Sequence, residues 1–210
     1  MEKIKSFLFN KFSVLLTLFI IHTNYTIPTN HNENLLLNSE KQFIIILNAT
    51  TKLRNIIGTT TININTLPNI LPVENLRVTS KFGEKRYFPK KYNHKGMDLA
   101  GKKGTPIKAT AEGKIIFTGW LYGYGKTVII KHDNNIVTVY AHLNEINTSI
   151  EQTINKQDVI GELGSTGRST GNHLHYEIRI NNKPIDPEIF TELSKQVSSW
   201  KSHIYSMPTN

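Results

Sequence analysis

In the stretch Gly171–Ile180, GNHLHYEIRI, two histidines stand either side of one leucine, directly after a glycine-rich run. Side chains two apart share a face of a strand, whereas on a helix they point about 200° apart. Leu174, Tyr176, Ile178 and Ile180 form an apolar row. That row predicts a strand with His173, His175, Glu177 and Arg179 on its other face, the two imidazoles rooted roughly 7 Å apart. The same alternation in VTVYAHL sets Val137, Val139 and Ala141 on one side and Thr138, Tyr140 and His142 on the other. His142 is thereby expected on a polar strand face, with Tyr140 beside it. In HKGMD, His94 and Asp98 are four apart with Gly96 between them. Glycine disfavours a helix, so this segment reads as a loop running into a strand.

Three nitrogen or oxygen donors with one position left open is the plan of a catalytic zinc site. His94, Asp98 and one member of the His173/His175 pair supply such a set. The other member and His142 then remain for proton transfer and for stabilising an oxyanion. Each match alone occurs by chance in many chains, and a His-x-His on a sheet is often only a solvated face. Their co-occurrence in one β-rich segment beside glycine-rich loops gives them weight. The chain contains no cysteine, which excludes disulfides, thiolate metal sites and a cysteine nucleophile.

The elements that must position these groups are short. The chain of 210 residues with 38% hydrophobic content suits one compact domain with extensions. From Leu71 onward, apolar alternations separated by glycine-containing turns predict an all-β, antiparallel sheet or sandwich. Asp133-Asn134-Asn135 and Asn181-Asn182 read as hairpin turns. After Pro187, Ile189, Leu193, Val197 and Trp200 fall near helical spacing and predict a short C-terminal helix packed on the sheet, then a tail. Residues 1–26, with Lys3, Lys5 and Lys11 ahead of FSVLLTLFII, read as a signal peptide or retained N-terminal membrane anchor. Residues 27–70 form a poorly defined accessory or linker region containing two stretches rich in β-branched residues. The expected catalytic domain is 71–190, and 191–210 hold helix and tail. The formal charge of +9 attracts a polyanion such as an anionic membrane or a carboxylate-rich wall. No RNP-like run, finger spacing or basic heptad accompanies it, so no nucleic acid is expected.

Three segments, HKGMDLAGKKGTPIKATAEGKIIFTG, YGYGKTVIIKHDNNIVTVYAHL and GELGSTGRSTGNHLHYEIR with the later IDP, closely resemble the lysostaphin/LytM-type zinc metallopeptidases. These are secreted enzymes that cleave peptidoglycan peptides. The likeness spans about Leu71–Phe190 in family order, and VTSKFGEKRYFP resembles the family's opening segment, with Phe82-Gly83 and Arg86 in place. Asn172 stands where many members have Pro, Tyr176 where Phe is common, and Asn134-Asn135 in place of a glycine-containing turn; none removes a donor. The resemblance implies one Zn²⁺ per domain held by His94, Asp98 and His175, with His142 and His173 as the catalytic histidines. It implies an exported zinc endopeptidase acting on peptidoglycan in the cell envelope, in periplasm or wall, for wall remodelling. The alternative is a catalytically silent wall-binding domain that regulates another wall hydrolase.

Four further residues are candidates for substrate contact or for support of the site. Tyr140 is one, by its expected face. Glu177 is another, as a partner orienting a ligand histidine or as an ion-pair partner of Arg179. Ser169 and Thr170 are the others, in the Gly164–Gly171 wall, which reads equally as a tight turn needing positive φ. His132 is expected to be structural.

Overall fold

The computed structural model describes residues 66–87, 91–133, 135–192 and 194–195, together with Asn55. The predicted N-terminal signal or anchor, most of the accessory region 27–70 with its β-branched stretches up to residue 65, and Val197 and Trp200 of the expected helix lie outside the described residues, as does Leu193.

The described chain is antiparallel β-structure, as the alternation predicts. Its strands are β1 (Arg77–Ser80), β2 (Lys85–Arg86), β3 (Tyr92–Asn93), β4 (Met97–Ala100), β5 (Pro106–Lys108) and β6 (Gly113–Leu121). They continue with β7 (Gly125–Lys131), β8 (Ile136–Ile146), β9 (Thr153–Ile154), β10 (Val159–Leu163), β11 (His173–Ile180) and β12 (Lys183–Ile185). A short helix begins at residue 188. Among the described residues, no helix is long and apolar enough to cross a membrane.

The main sheet runs β1-β4-β11-β8-β7-β6-β9, with β12 beside β11 and with β10 bridging β8 to β5. β2 and β3 pair separately as a small hairpin. β11 therefore lies between β4 and β8, and its residues are read from both sides: His175 is opposite Asp98 on β4 and opposite Ala141 on β8. Cross-strand partners share a face. The HLHYE strand and the MDLA strand thus bring His175 and Asp98 together by register alone.

The other face is the core. Leu174, Tyr176, Ile178 and Ile180 are buried there with Met97, Leu99, Val128, Ile130 and Tyr140, and β5, β10 and the helix add Ile107, Ile160, Leu163 and Phe190. Leu67 and Val73 join the same cluster, so the packed unit extends a few residues upstream of Leu71. The buried hydroxyls of Tyr140 and Tyr176 meet Thr110 Oγ1, each at 2.9 Å, which satisfies groups that would otherwise be costly inside.

The turns follow their chemistry. Asn181 and Asn182 both take positive φ between β11 and β12, as a two-residue hairpin loop requires. At Asp133–Asn135, Asn135 is also left-handed. Gly96 serves a different need: a Cβ there would lie 2.2 Å from the Tyr176 carbonyl oxygen. The chain between His94 and Asp98 can approach β11 only with a bare α-carbon at that point.

Candidate metal centre

Three buried donors converge. His94 Nε2 lies 3.0 Å from His175 Nδ1, His175 Nδ1 lies 2.8 Å from Asp98 Oδ1, and Asp98 Oδ1 lies 3.1 Å from His94 Nε2. These form the one cluster among the described residues that could hold a metal ion. A tetrahedral zinc with donors at about 2.0–2.1 Å needs edges of roughly 3.3 Å. The triangle's edges fall short of that by about half an ångström or less.

The remaining atom of each group is already committed. His94 Nδ1–H donates to the Lys81 carbonyl at 2.9 Å, and the backbone of His94 is bonded to Gly83 and Glu84. His175 Nε2–H donates to Glu177 Oε1 at 2.9 Å. Asp98 Oδ2 accepts from Arg86 Nη2 at 2.8 Å, and Arg86 is itself held by Ser80 Oγ at 2.5 Å. Outer partners of this kind fix the tautomer and direction of a ligand. Here they leave two imidazole lone pairs and a carboxylate oxygen facing one another, which is repulsive unless a positive charge sits among them. A divalent cation would supply it, and the oxygen and nitrogen donor set suits zinc.

Without metal, a proton takes that place. Burial alone pushes His175 down, but its hydrogen bonds to Asp98 and Glu177 and their charges outweigh this and raise its pKa above the ordinary value. Asp98 is also buried, yet hydrogen bonds from His175 and His94 hold it well below the usual carboxylate range. Binding must therefore expel the His175 proton whenever the pH is below that raised pKa, and the proton competes with the metal. The apparent zinc dissociation constant is expected to fall about tenfold per unit rise in pH, then level off above it. Chelator competition between pH 5.5 and 8, corrected for the chelator's own protonation, checks this; a flat profile contradicts it.

Two more rings stand beside the triangle. His142 is 4.7 Å from His173 and 6.0 Å from His175, centroid to centroid, and His173 Nε2 is 3.9 Å from Asp98 Oδ1. His142 Nδ1–H donates to the Thr166 carbonyl at 2.7 Å, and His173 Nδ1–H donates to the Gly171 carbonyl at 2.8 Å. Both rings are thus anchored at Nδ1 and leave Nε2 for chemistry. Burial, together with the neighbouring His173 and His175, pushes His142 down to about 4 against the opposing pull of the Thr166 bond. It is a neutral base throughout the physiological range.

His142 reaches the site by breaking the alternation of its strand. On β7, Lys126 faces Leu143 and Val128 faces Tyr140, so three steps along β8 match two along β7. The extra residue is a β-bulge, a device that re-aims side chains. His142 takes φ +60°, which costs a non-glycine residue about 1–2 kcal/mol. Its backbone N–H donates to the Tyr124 carbonyl at 2.8 Å. The Thr166 carbonyl is held by close contact between loops: a Cβ on Gly125 would lie 2.4 Å from the Thr166 carbonyl carbon.

The structure thus brings His94, Asp98, His142, His173 and His175 into one cluster. Glu177, fully buried, bonds both His175 and Arg179, so the two alternative partners are held together. Ser169 Oγ lies 3.2 Å from His173 Nδ1, and Thr170 is exposed on the same loop. Tyr140 does not share a face with His142: it pairs with Tyr176 in the core, because the bulge turns His142 away from the row it would otherwise occupy. His132 donates from Nδ1 to the Glu112 carbonyl and bonds Thr138 Oγ1 through Nε2, a buried structural arrangement. Sequence reasoning passed over Tyr124, whose hydroxyl reaches Glu177. Its one signal is an aromatic residue between glycines in YGYG, next to the loop that leads into β7.

The model of Peptidase family M23 matches residues 92–187, which include all five clustered residues. The chain is 46% identical over 122 residues to the DD-carboxypeptidase/endopeptidase Mpg of Neisseria meningitidis serogroup B, a match covering 57% of this chain and 28% of that protein. It is 40% identical over 95 residues to the murein hydrolase activator NlpD of Escherichia coli K12, covering 45% of this chain and 25% of that protein. The chain therefore spans less than a third of the length of these curated relatives. Among solved structures it is similar to the catalytic domain of the antimicrobial peptidase lysostaphin from Staphylococcus simulans. That match has 30% identity and a TM-score of 0.54, and covers 56% of this chain and 93% of that domain.

Proposed function

The chain belongs to peptidase family M23, and on that premise we propose that it is an exported zinc-dependent endopeptidase that hydrolyses peptide bonds in peptidoglycan. The observation that carries this reading is the buried triangle of His94, Asp98 and His175 donors with two further imidazoles, each free at Nε2, at its edge. A bound zinc supplies Lewis acidity, which brings water into reach of ionisation near neutral pH and polarises a scissile carbonyl. The chain supplies the rest. His142, neutral and buried, accepts a proton at Nε2 as the attack develops. His173, fixed at Nδ1 by Gly171, directs Nε2 toward the oxyanion or the leaving amine. Arg86 and Glu177 hold Asp98 and His175 in place throughout. The cationic surface implied by the charge of +9 keeps the enzyme near a carboxylate-bearing polymer, an attraction that salt weakens.

The zinc-loaded chain is expected to release new amino termini from purified peptidoglycan, to stop when zinc is chelated, and to recover when zinc is restored. A second reading, a regulator that stimulates another wall hydrolase, is favoured by the likeness to NlpD. It predicts zinc-loaded protein that releases no amino termini yet accelerates wall lysis by a second hydrolase. A regulator needs none of the proton-handling groups, whereas His142 and His173 are both present and both anchored here.

A further inference from the structure

Tyr124 lies in the turn between β6 and β7, and it touches both halves of the site. Its hydroxyl donates to Glu177 Oε1 at 2.7 Å, the same oxygen that accepts His175 Nε2–H at 2.9 Å. Arg179 closes the circuit, donating through Nε to Glu177 Oε2 at 2.6 Å and through Nη2 to the Tyr124 hydroxyl at 3.3 Å. The Tyr124 ring stands edge-on to His175 with centroids 5.6 Å apart. At the other end of the residue, the backbone carbonyl accepts the N–H of His142 at 2.8 Å, the residue held at φ +60°.

We propose that Tyr124 is a positioning residue shared by the two halves of the site: its hydroxyl fixes the Glu177–His175 pair on the metal side, and its carbonyl clamps His142 on the proton-transfer side. The assignment of those two sides rests on the endopeptidase reading, but the metal-side contacts can be measured without any hydrolysis.

Glu177 is the hub of these contacts. A carboxylate with no solvent exposure must have its oxygens satisfied by the protein. With the Tyr124 hydroxyl and the His175 ring both on Oε1, and Arg179 on Oε2, the carboxylate is pinned in plane and in rotation. His175 Nε2–H is aimed at it, so Nδ1, on the other side of the ring, is aimed at His94 and Asp98. Removing the hydroxyl leaves Oε1 with one donor and lets the carboxylate turn toward Arg179, and the His175 ring loses its angular restraint. Loss of such an outer partner typically weakens metal binding 10–100-fold. The carbonyl acts through the backbone instead. It ties the turn to the bulge, and the Gly125–Thr166 contact beside it ties the same turn to the loop that holds the His142 ring.

The test uses the full chain and zinc alone as probe. Tyr124→Phe removes only the hydroxyl and keeps the ring and carbonyl. It is expected to weaken zinc binding about tenfold by chelator competition while keeping turnover at saturating zinc within a few-fold. Tyr140→Phe removes a fully buried hydroxyl on the core face and is expected to lower thermal stability without changing zinc affinity. Gly125→Ala displaces the turn against Thr166 and is expected to leave zinc affinity intact while turnover drops at least about tenfold. Zinc affinity of Tyr124→Phe within twofold of the parent overturns the metal-side assignment, as does an equal loss in Tyr140→Phe. Full turnover in Gly125→Ala overturns the carbonyl assignment. If the zinc-loaded parent itself releases no amino termini, the endopeptidase reading fails, and the comparison of zinc affinities still decides the role of the Tyr124 hydroxyl.

Discussion

His175→Ala is expected to leave the protein folded, without stoichiometric zinc, and with hydrolysis reduced about a thousandfold or more. The fold survives because β11 is held by backbone pairing to β4 and β8 and by the Leu174, Tyr176 and Ile178 side chains in the core, none of which the substitution touches. Glu177 loses one donor but keeps Tyr124 on one oxygen and Arg179 on the other, so no buried charge is orphaned. The metal does not survive. Only His94 Nε2 and Asp98 Oδ1 remain of the three donors, and a site with two protein ligands falls short of the three a catalytic zinc requires. Several kilocalories per mole of transition-state stabilisation disappear with the metal, and about 4 kcal/mol corresponds to a thousandfold in rate. Zinc stoichiometry by elemental analysis and amino-terminus release from peptidoglycan, on the same sample, check both parts. A variant as active as its parent would remove the metal from the mechanism.

His142→Ala separates the proton chemistry from the metal. All three metal donors stay, so zinc is expected to remain bound with near-parental affinity, while turnover drops roughly 10²–10⁴-fold, the usual contribution of a positioned acid or base. A domain that acts only by electrostatic attachment to an anionic wall would be indifferent to this change, so the experiment also separates enzyme from binding module. His142→Gly adds a sign check on the backbone. Glycine adopts φ +60° without the penalty a side chain incurs, so this variant is expected to unfold at a higher temperature than His142→Ala and to be just as inactive. Equal melting temperatures would mean that the left-handed conformation at 142 carries no strain.

Much of the fold was legible because β-structure writes its burial with a period of two. In β11 both rows were right: Leu174, Tyr176, Ile178 and Ile180 are core, and His173, His175, Glu177 and Arg179 occupy the other face. The asparagine turns were legible because few other residues tolerate positive φ. The choice of His175 over His173 as ligand was not open to spacing, since both project from one face. The geometry favours His175 by distance: its Nδ1 lies 2.8 Å from Asp98 Oδ1 and 3.0 Å from His94 Nε2, whereas His173 Nε2 is 3.9 Å from Asp98 Oδ1. Tyr140 was misread because the two-residue period fails at a bulge, and a bulge leaves no mark in hydrophobicity. Tyr124 and Arg86 act at long range in sequence, across 53 residues to Glu177 and 12 to Asp98, and neither sits in a periodic segment that would announce its direction.

The extra residue in β8 also constrains how this chain can change in length. A one-residue deletion between Val139 and Leu143 would realign β8 with β7 and restore strict alternation. Deletion of Ala141 would keep every donor and still lose the clamped base, because without the left-handed turn at 142 the N–H and Nδ1–H of that residue would no longer meet the Tyr124 and Thr166 carbonyls that aim the ring. Surface loops of such a domain can lengthen at modest entropic expense, but this strand cannot lose a residue. For this chain, an unbroken count from Val128 through Leu143 is as diagnostic of activity as the identity of any single side chain.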